Sequence, residues 1–262
     1  MHFFNPVHKM PLIEVIRGEK TGDRATAVTF ELSKRLGKTP IVVKDGPGFL
    51  VNRLLMPYLN EAAYLVAEGA PIEELDKEVR KFGMPMGPAT LLDEVGLDVA
   101  VKVGKILHEA FGARAVPCAL NARLVDGKLY GKKASKGFYL YDEKGKQGDL
   151  NPEIYRVLGV TPVSPSSAQK ADWIPRMMYP IVNEAALCLA EGIVGDAQDV
   201  DIGMIFGTGF APFRGGPLRY ADSVGLSNIV AKLDELSKKV SPRFTPSPAL
   251  VERARKGQAF YS

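Results

Sequence analysis

The chain has 262 residues, 46% of them apolar and 24% charged, which is enough to build one large or two ordinary domains with real cores and too apolar for disorder of the whole. Its net charge of +4 is small and evenly mixed, so composition gives no case for a nucleic-acid partner. Two cysteines, Cys118 and Cys188, cannot frame a disulfide scaffold in a chain this size and point to a cytoplasmic setting, while no apolar run is long enough for a transmembrane segment and no signal-peptide order opens the chain.

Residues 1–44 alternate strand and helix signals: "HFFNPV", "LIEVIRG", a helix from about Arg24 to Leu36, then "TPIVV". In that helix Ala25, Val28, Leu32 and Leu36 share one face and are expected to be its core side, with Asp23 as a cap and Gly37 as the stop. Two or three strands with one helix cannot cover both faces of a sheet, so this segment is expected to be the end of a sheet whose earlier strands are missing. Its unpaired edges are then expected to be mobile or to pair with another chain.

From Asp45 onward helical periods dominate, and they occur twice. "NRLLMPYLNEAAYLVAEG" at 52–69 and "PRMMYPIVNEAALCLAEG" at 175–192 share Arg, Pro, Asn-Glu-Ala-Ala and Ala-Glu-Gly at one constant offset. "GPATLLDEVGL" at 87–97 pairs with "GPLRYADSVGL" at 216–226, and "SKGFYLY" from 135 pairs with "RKGQAFY" from 255. Each copy is the size of a small helical domain, and residues 143–166, rich in Gly, Pro and Ser at both ends, read as a linker. Pro57 and Pro180 sit at matching places inside long helical patterns, where each removes one backbone bond and should bend the helix.

The duplication separates packing from chemistry, because a residue present in both copies is more simply explained by structure than by a single active site. Asn60 and Asn183, Glu61 and Glu184, and Arg53 and Arg176 are therefore read as structural. Asn52 is different: its counterpart is Pro175, which cannot replace an amide donor. The turn "DGPGF" at 45–49 is likewise absent from the second copy, so the first copy is expected to face the site and the second to support it.

His2 and Glu14 lie on adjacent strand candidates that run back to back, which brings an imidazole within reach of a carboxylate, a usual pair for proton transfer. The bland alternative is a solvated terminal histidine beside an edge-strand acid. His8 and His108 form no metal-ligand spacing and no metal is expected. Neither a G-x-G-x-x-G turn nor a P-loop is present, and "GTGFAPFRGG" at 207–216 follows a helix pattern rather than a strand, so a cofactor loop is expected outside this chain.

"HFFNPVHKMPLIEVIRGEKT", "KTPIVVKDGPGFLVNRLL", "MGPATLLDEVGLD" and "SKGFYLYD" resemble the 3-hydroxyacyl-CoA dehydrogenases of fatty acid β-oxidation, and the doubled helical region with "GFAPFRGGPLRYAD" is most similar to the dehydrogenase part of their bacterial multifunctional members. The resemblance implies a mainly α fold: two tandem helical C-terminal dehydrogenase domains, at 45–142 and 167–262, preceded at 1–44 by the last α/β elements of a truncated Rossmann domain. It implies that His2 is the general base for the 3-hydroxyl group, that Glu14 orients it, that Asn52 holds the substrate carbonyl, and that Asn5 lies close to the reacting ends of cofactor and substrate. It further implies oxidation of 3-hydroxyacyl-CoA to 3-ketoacyl-CoA with NAD as cofactor, in a parent chain with a complete Rossmann domain and a hydratase domain, and with a thiolase subunit as partner.

On this reading the 262-residue chain alone is expected to be inactive, because the NAD-binding half is missing. The alternative is a helical assembly module that does no chemistry, its tandem copies satisfying within one chain the interface that single-copy members of the family form between two.

Overall fold

The computed structural model describes residues 1–261. In chain order these form β1 (His2–Phe3), β2 (Leu12–Arg17), α1 (Asp23–Arg35), β3 (Thr39–Lys44), α2 (Val51–Ala67), α3 (Ile72–Phe82), α4 (Pro88–Val95), α5 (Leu97–Phe111), α6 (Leu120–Asp126), β4 (Tyr139–Tyr141), β5 (Gln147–Leu150), α7 (Ile154–Leu158), α8 (Ser167–Ala190), α9 (Ala197–Thr208), α10 (Pro217–Val224), α11 (Leu226–Lys239) and α12 (Pro248–Arg255). The fold is mainly α, with a short Rossmann-like opening. Two compact units share the chain, one made of Met1–Leu55 with Met178–Ser262 and the other of Met56–Met177. The chain passes from the first to the second within α2 and returns within α8, so the cuts fall inside long helices rather than at the ends of the repeats.

In the first unit β1, β2 and β3 make a sheet in that order, β1 antiparallel and β3 parallel to β2. Leu12, Ile13, Glu14 and Val15 are all buried, so both faces of β2 are covered. The expectation of an uncovered sheet is corrected here: α1 packs against β2 and β3, and so does α9, which belongs to the second repeat. Gly203 and Gly207 of α9 permit the approach, since a Cβ on Gly207 would stand 2.8 Å from Leu12 Cδ2 and one on Gly203 3.0 Å from Ile41 Cδ1.

The apolar stripe of α1 does not face that sheet. Val28, Leu32 and Leu36 are exposed, whereas Thr26 and Ser33 are buried, which reverses the expected core side. Small hydroxyl residues can take the inner face because each satisfies itself one turn back: Thr26 Oγ1 donates to the Gly22 carbonyl at 3.2 Å and Ser33 Oγ to the Thr29 carbonyl at 2.8 Å. The N-cap is Gly22, not Asp23, which instead pairs with Arg17 at 2.6 Å.

The repeat reappears as a duplicated hydrogen-bond pattern, one copy in each unit. Asp76 on α3 accepts from the backbone N–H groups of Ala89 and Thr90 that open α4, and from the Tyr139 hydroxyl. Asp201 on α9 accepts from Leu218 and Arg219 at the start of α10, and from the Tyr261 hydroxyl. Asp93 then holds the N–H groups of Phe138 and Tyr139, as Asp222 holds those of Phe260 and Tyr261. Each carboxylate pair thereby ties a helix N-terminus to the closing aromatic segment of its copy.

Asn60 and Asn183 also match: the Asn60 amide donates to the Val116 carbonyl and accepts from Cys118 N–H, and Asn183 does the same with Thr245 and Ser247. Pro57 and Pro180 both lie inside continuous helices, α2 and α8. Residues 143–166 carry more structure than a linker. β5 pairs with β4, and Ile154 and Leu158 of α7 are fully buried in the second unit.

Candidate active site

The site is set by strand register. β1 pairs with β2 so that His2 stands directly opposite Glu14, and paired residues in an antiparallel ladder project to the same face. His2 Nδ1 and Glu14 Oε2 are 2.7 Å apart, with Glu14 wholly buried and the histidine half-buried. An ionised carboxylate only accepts, so Nδ1 carries the proton and Nε2 is left with its lone pair free for a hydroxyl.

The second oxygen of Glu14 does something the sequence does not announce. Oε1 accepts from the backbone N–H groups of Leu50 and Val51, each at 3.0 Å, where α2 begins. Those donors, together with the positive end of the helix, compensate a fully buried anion. One carboxylate thus joins the imidazole to the first turn of α2, and Asn52 is the next residue along that turn.

The "DGPGF" turn feeds α2 through Phe49, a non-glycine residue in the left-handed region at φ 47°. Its ring centroid lies 5.4 Å from that of the His2 imidazole, and the Phe4 ring centroid lies 4.7 Å from it. Two phenyl rings and a carboxylate therefore restrict the orientation of the imidazole. Phe4 and Phe49 were present in the quoted motifs but carried no signal of chemistry, since an aromatic residue is usually core.

The structure brings His2 and Glu14 into direct contact and places Asn52 on the helix turn that Glu14 holds. Asn5 follows β1 and is exposed. Among the described residues neither Asn5 nor Asn52 makes a side-chain hydrogen bond, so both amides are uncommitted. A cavity of about 1100 Å³ lies elsewhere in the same unit, lined by Arg17, Lys20, Lys44, Asp45 and Asp199 among others, and none of the four candidate residues lines it.

The β2–α1 connection, which leads from one strand of the parallel β2–β3 pair into a helix, carries Gly18, Glu19, Lys20, Thr21 and Gly22 and opens α1 with Asp23. His108 Nδ1 lies 3.0 Å from the Gly112 carbonyl at the end of α5. No helix among the described residues is long and apolar enough to cross a membrane.

Residues 1–46 match the family model for the 3-hydroxyacyl-CoA dehydrogenase NAD binding domain, and residues 48–141 match that for the C-terminal domain of the same enzymes. The fatty acid oxidation complex subunit alpha of Idiomarina loihiensis is 48% identical over 261 residues, covering 100% of this chain and 37% of that protein. The corresponding subunit of Vibrio parahaemolyticus is 47% identical over 262 residues, again with 37% of its length covered. The chain thus spans little more than a third of the relatives it matches.

Among solved structures, a 3-hydroxybutyryl-CoA dehydrogenase from Escherichia coli superposes with a TM-score of 0.80 at 26% identity, covering 98% of this chain and 70% of that one. The dehydrogenase part of multifunctional enzyme 1 from C. elegans gives 0.70 at 30% identity, with 96% and 58% covered. With both halves of the family's dehydrogenase region matched and the helical half duplicated, this chain belongs to the 3-hydroxyacyl-CoA dehydrogenase family.

Proposed function

We propose that the chain supplies the proton-transfer side of an (S)-3-hydroxyacyl-CoA dehydrogenase acting in fatty acid β-oxidation in the cytoplasm. The observation that carries this is the His2 imidazole fixed through Nδ1 to buried Glu14, with Nε2 left open. In the forward reaction Nε2 takes the proton of the substrate 3-hydroxyl, and Glu14 stabilises the imidazolium that results. The amide of Asn52 donates to a substrate oxygen, and Asn5 lies along the reacting ends of substrate and cofactor. NAD, bound by the remainder of the NAD-binding domain in the parent protein, supplies the hydride acceptor. Residues 1–44 are then the closing part of that domain, and 45–142 and 167–262 are the two helical copies, with 143–166 between them. A hydratase domain of the same polypeptide and a thiolase subunit are its expected neighbours.

The test is consumption of NADH with acetoacetyl-CoA, run on the 262-residue chain and on the full-length protein that contains it. Turnover by the full-length protein alone is the expected result. A full-length protein without turnover would overturn the dehydrogenase reading, and turnover by the short chain would require a dinucleotide site within these residues. A second reading, a helical module serving assembly, is favoured by the duplicated aspartate pattern, which is structural in both copies. It differs only in what the chain does without its other half.

A further inference from the structure

We infer that Glu184 and Glu191, both in the second repeat, are positioning residues for Asn52 and act through Arg53; the inference rests on the dehydrogenase reading above. Arg53 follows Asn52 in the first turn of α2 and is 4% exposed. Its Nε donates to Glu184 Oε1 at 2.6 Å and its Nη1 to Glu191 Oε2 at 2.7 Å. Glu184 is itself buried, while Glu191 is partly exposed. On the other side of Asn52, the N–H groups of Leu50 and Val51 are held by Glu14. Two buried carboxylates from different parts of the chain therefore fix the residues immediately before and after Asn52, one through backbone and one through a guanidinium.

Charge-assisted, buried bonds of this kind tolerate little displacement, because moving one partner strands the other charge away from water. Among the described residues the Asn52 side chain makes no hydrogen bond, so its place is inherited from these neighbours. The second copy thus carries no group for the chemistry and still sets where a substrate-binding amide stands.

The duplication supplies a matched control. Arg176, the counterpart of Arg53, donates through Nε to Glu61 at 2.8 Å and through Nη1 to Glu68 at 2.7 Å, the same clamp built from the equivalent residues in the other unit. The residue beside Arg176 is Pro175, which holds no substrate. A purely structural role predicts equal consequences for the two clamps. A positioning role does not.

In the full-length protein, we would compare E184Q with E61Q, and the milder E191Q with E68Q, for thermal midpoint, kcat and KM, and combine E184Q and E191Q each with N52A. The expected result is similar thermal midpoints within each matched pair, kcat/KM lowered about 10- to 100-fold only for the Glu184 and Glu191 variants, and little further loss when N52A is added, since both changes remove the same interaction. Should E184Q fold poorly, E191Q at the partly exposed carboxylate gives the same reading. Equal losses for the two clamps, or losses that multiply with N52A, would overturn the inference while leaving the dehydrogenase reading intact. An unmutated full-length protein with no turnover would overturn both.

Discussion

Glu14 serves His2 with one carboxylate oxygen and the N-terminus of α2 with the other, at 2.7 Å and 3.0 Å, while wholly buried. Its removal therefore has a structural cost separate from any chemical one. Glu14→Ala leaves two helix N–H groups and the His2 ring without their acceptor, and the two buried N–H groups alone should destabilise the first unit by about 2–6 kcal/mol, at 1–3 kcal/mol for each. Glu14→Gln keeps an acceptor for Leu50 and Val51 and should lose much less. Chemical denaturation of the two variants, followed by circular dichroism, checks the order; equal losses would mean that the α2 contacts contribute nothing.

His2 itself stands on a two-residue edge strand with a side chain 28% exposed, so the fold asks little of it. His2→Gln in the full-length protein should keep its thermal midpoint within a degree or two of the parent while turnover falls ~10²- to 10⁴-fold, the usual contribution of a general base. Single-turnover measurements with a 3-hydroxyacyl-CoA would show the fall in the chemical step; normal turnover would remove His2 from the mechanism.

In the second unit, burial pushes the Asp93 carboxyl up from 3.8 to about 6, against the pull of the Tyr139 and Phe138 N–H groups and the Tyr141 hydroxyl. A carboxyl raised in the folded state binds its proton more tightly there than in the unfolded chain. Stability then falls as pH rises through the window between 3.8 and about 6, and above it the ionised form carries a penalty of about 3 kcal/mol. Asp76 and Asp201 are raised by burial too, in the same direction. Urea midpoints at pH 5 and pH 7.5 should show the parent more stable at the lower pH, with a smaller difference in Asp93→Asn. A difference unchanged by that substitution would assign the pH dependence to other groups.

How much of this was legible in the sequence depended on whether the signal resided in side chains. The His2–Glu14 pair followed from two strand patterns joined by a short turn, and the repeat from identical residues at one offset. The bond from Glu14 to Leu50 and Val51 left no mark, because its donors are backbone groups that any residue would supply. The Arg53 clamp was half visible: duplication marked its members as structural, but not that Arg53 and Arg176 each reach glutamates of the opposite copy. The error on α1 has another origin. Helical periodicity finds the apolar face correctly and cannot say which neighbour it meets, and hydroxyls that bond back along their own helix make the polar face cheap to bury.

That reversal on α1 yields a test of its own. Val28 is 61% exposed, Leu32 44% and Leu36 53%, so replacing them removes little burial in this chain. Leu32→Lys should change the stability of the 262-residue chain by no more than about 0.5 kcal/mol, the usual range for surface sites. Ser33→Leu, one residue on and fully buried, forces a larger side chain against β2 and β3 and should cost about 1–3 kcal/mol by overpacking. Thermal denaturation of the two variants distinguishes the orientations. A large loss for Leu32→Lys with a small one for Ser33→Leu would return the apolar stripe to the sheet and rotate α1 by roughly a quarter turn, the angle between adjacent helical positions.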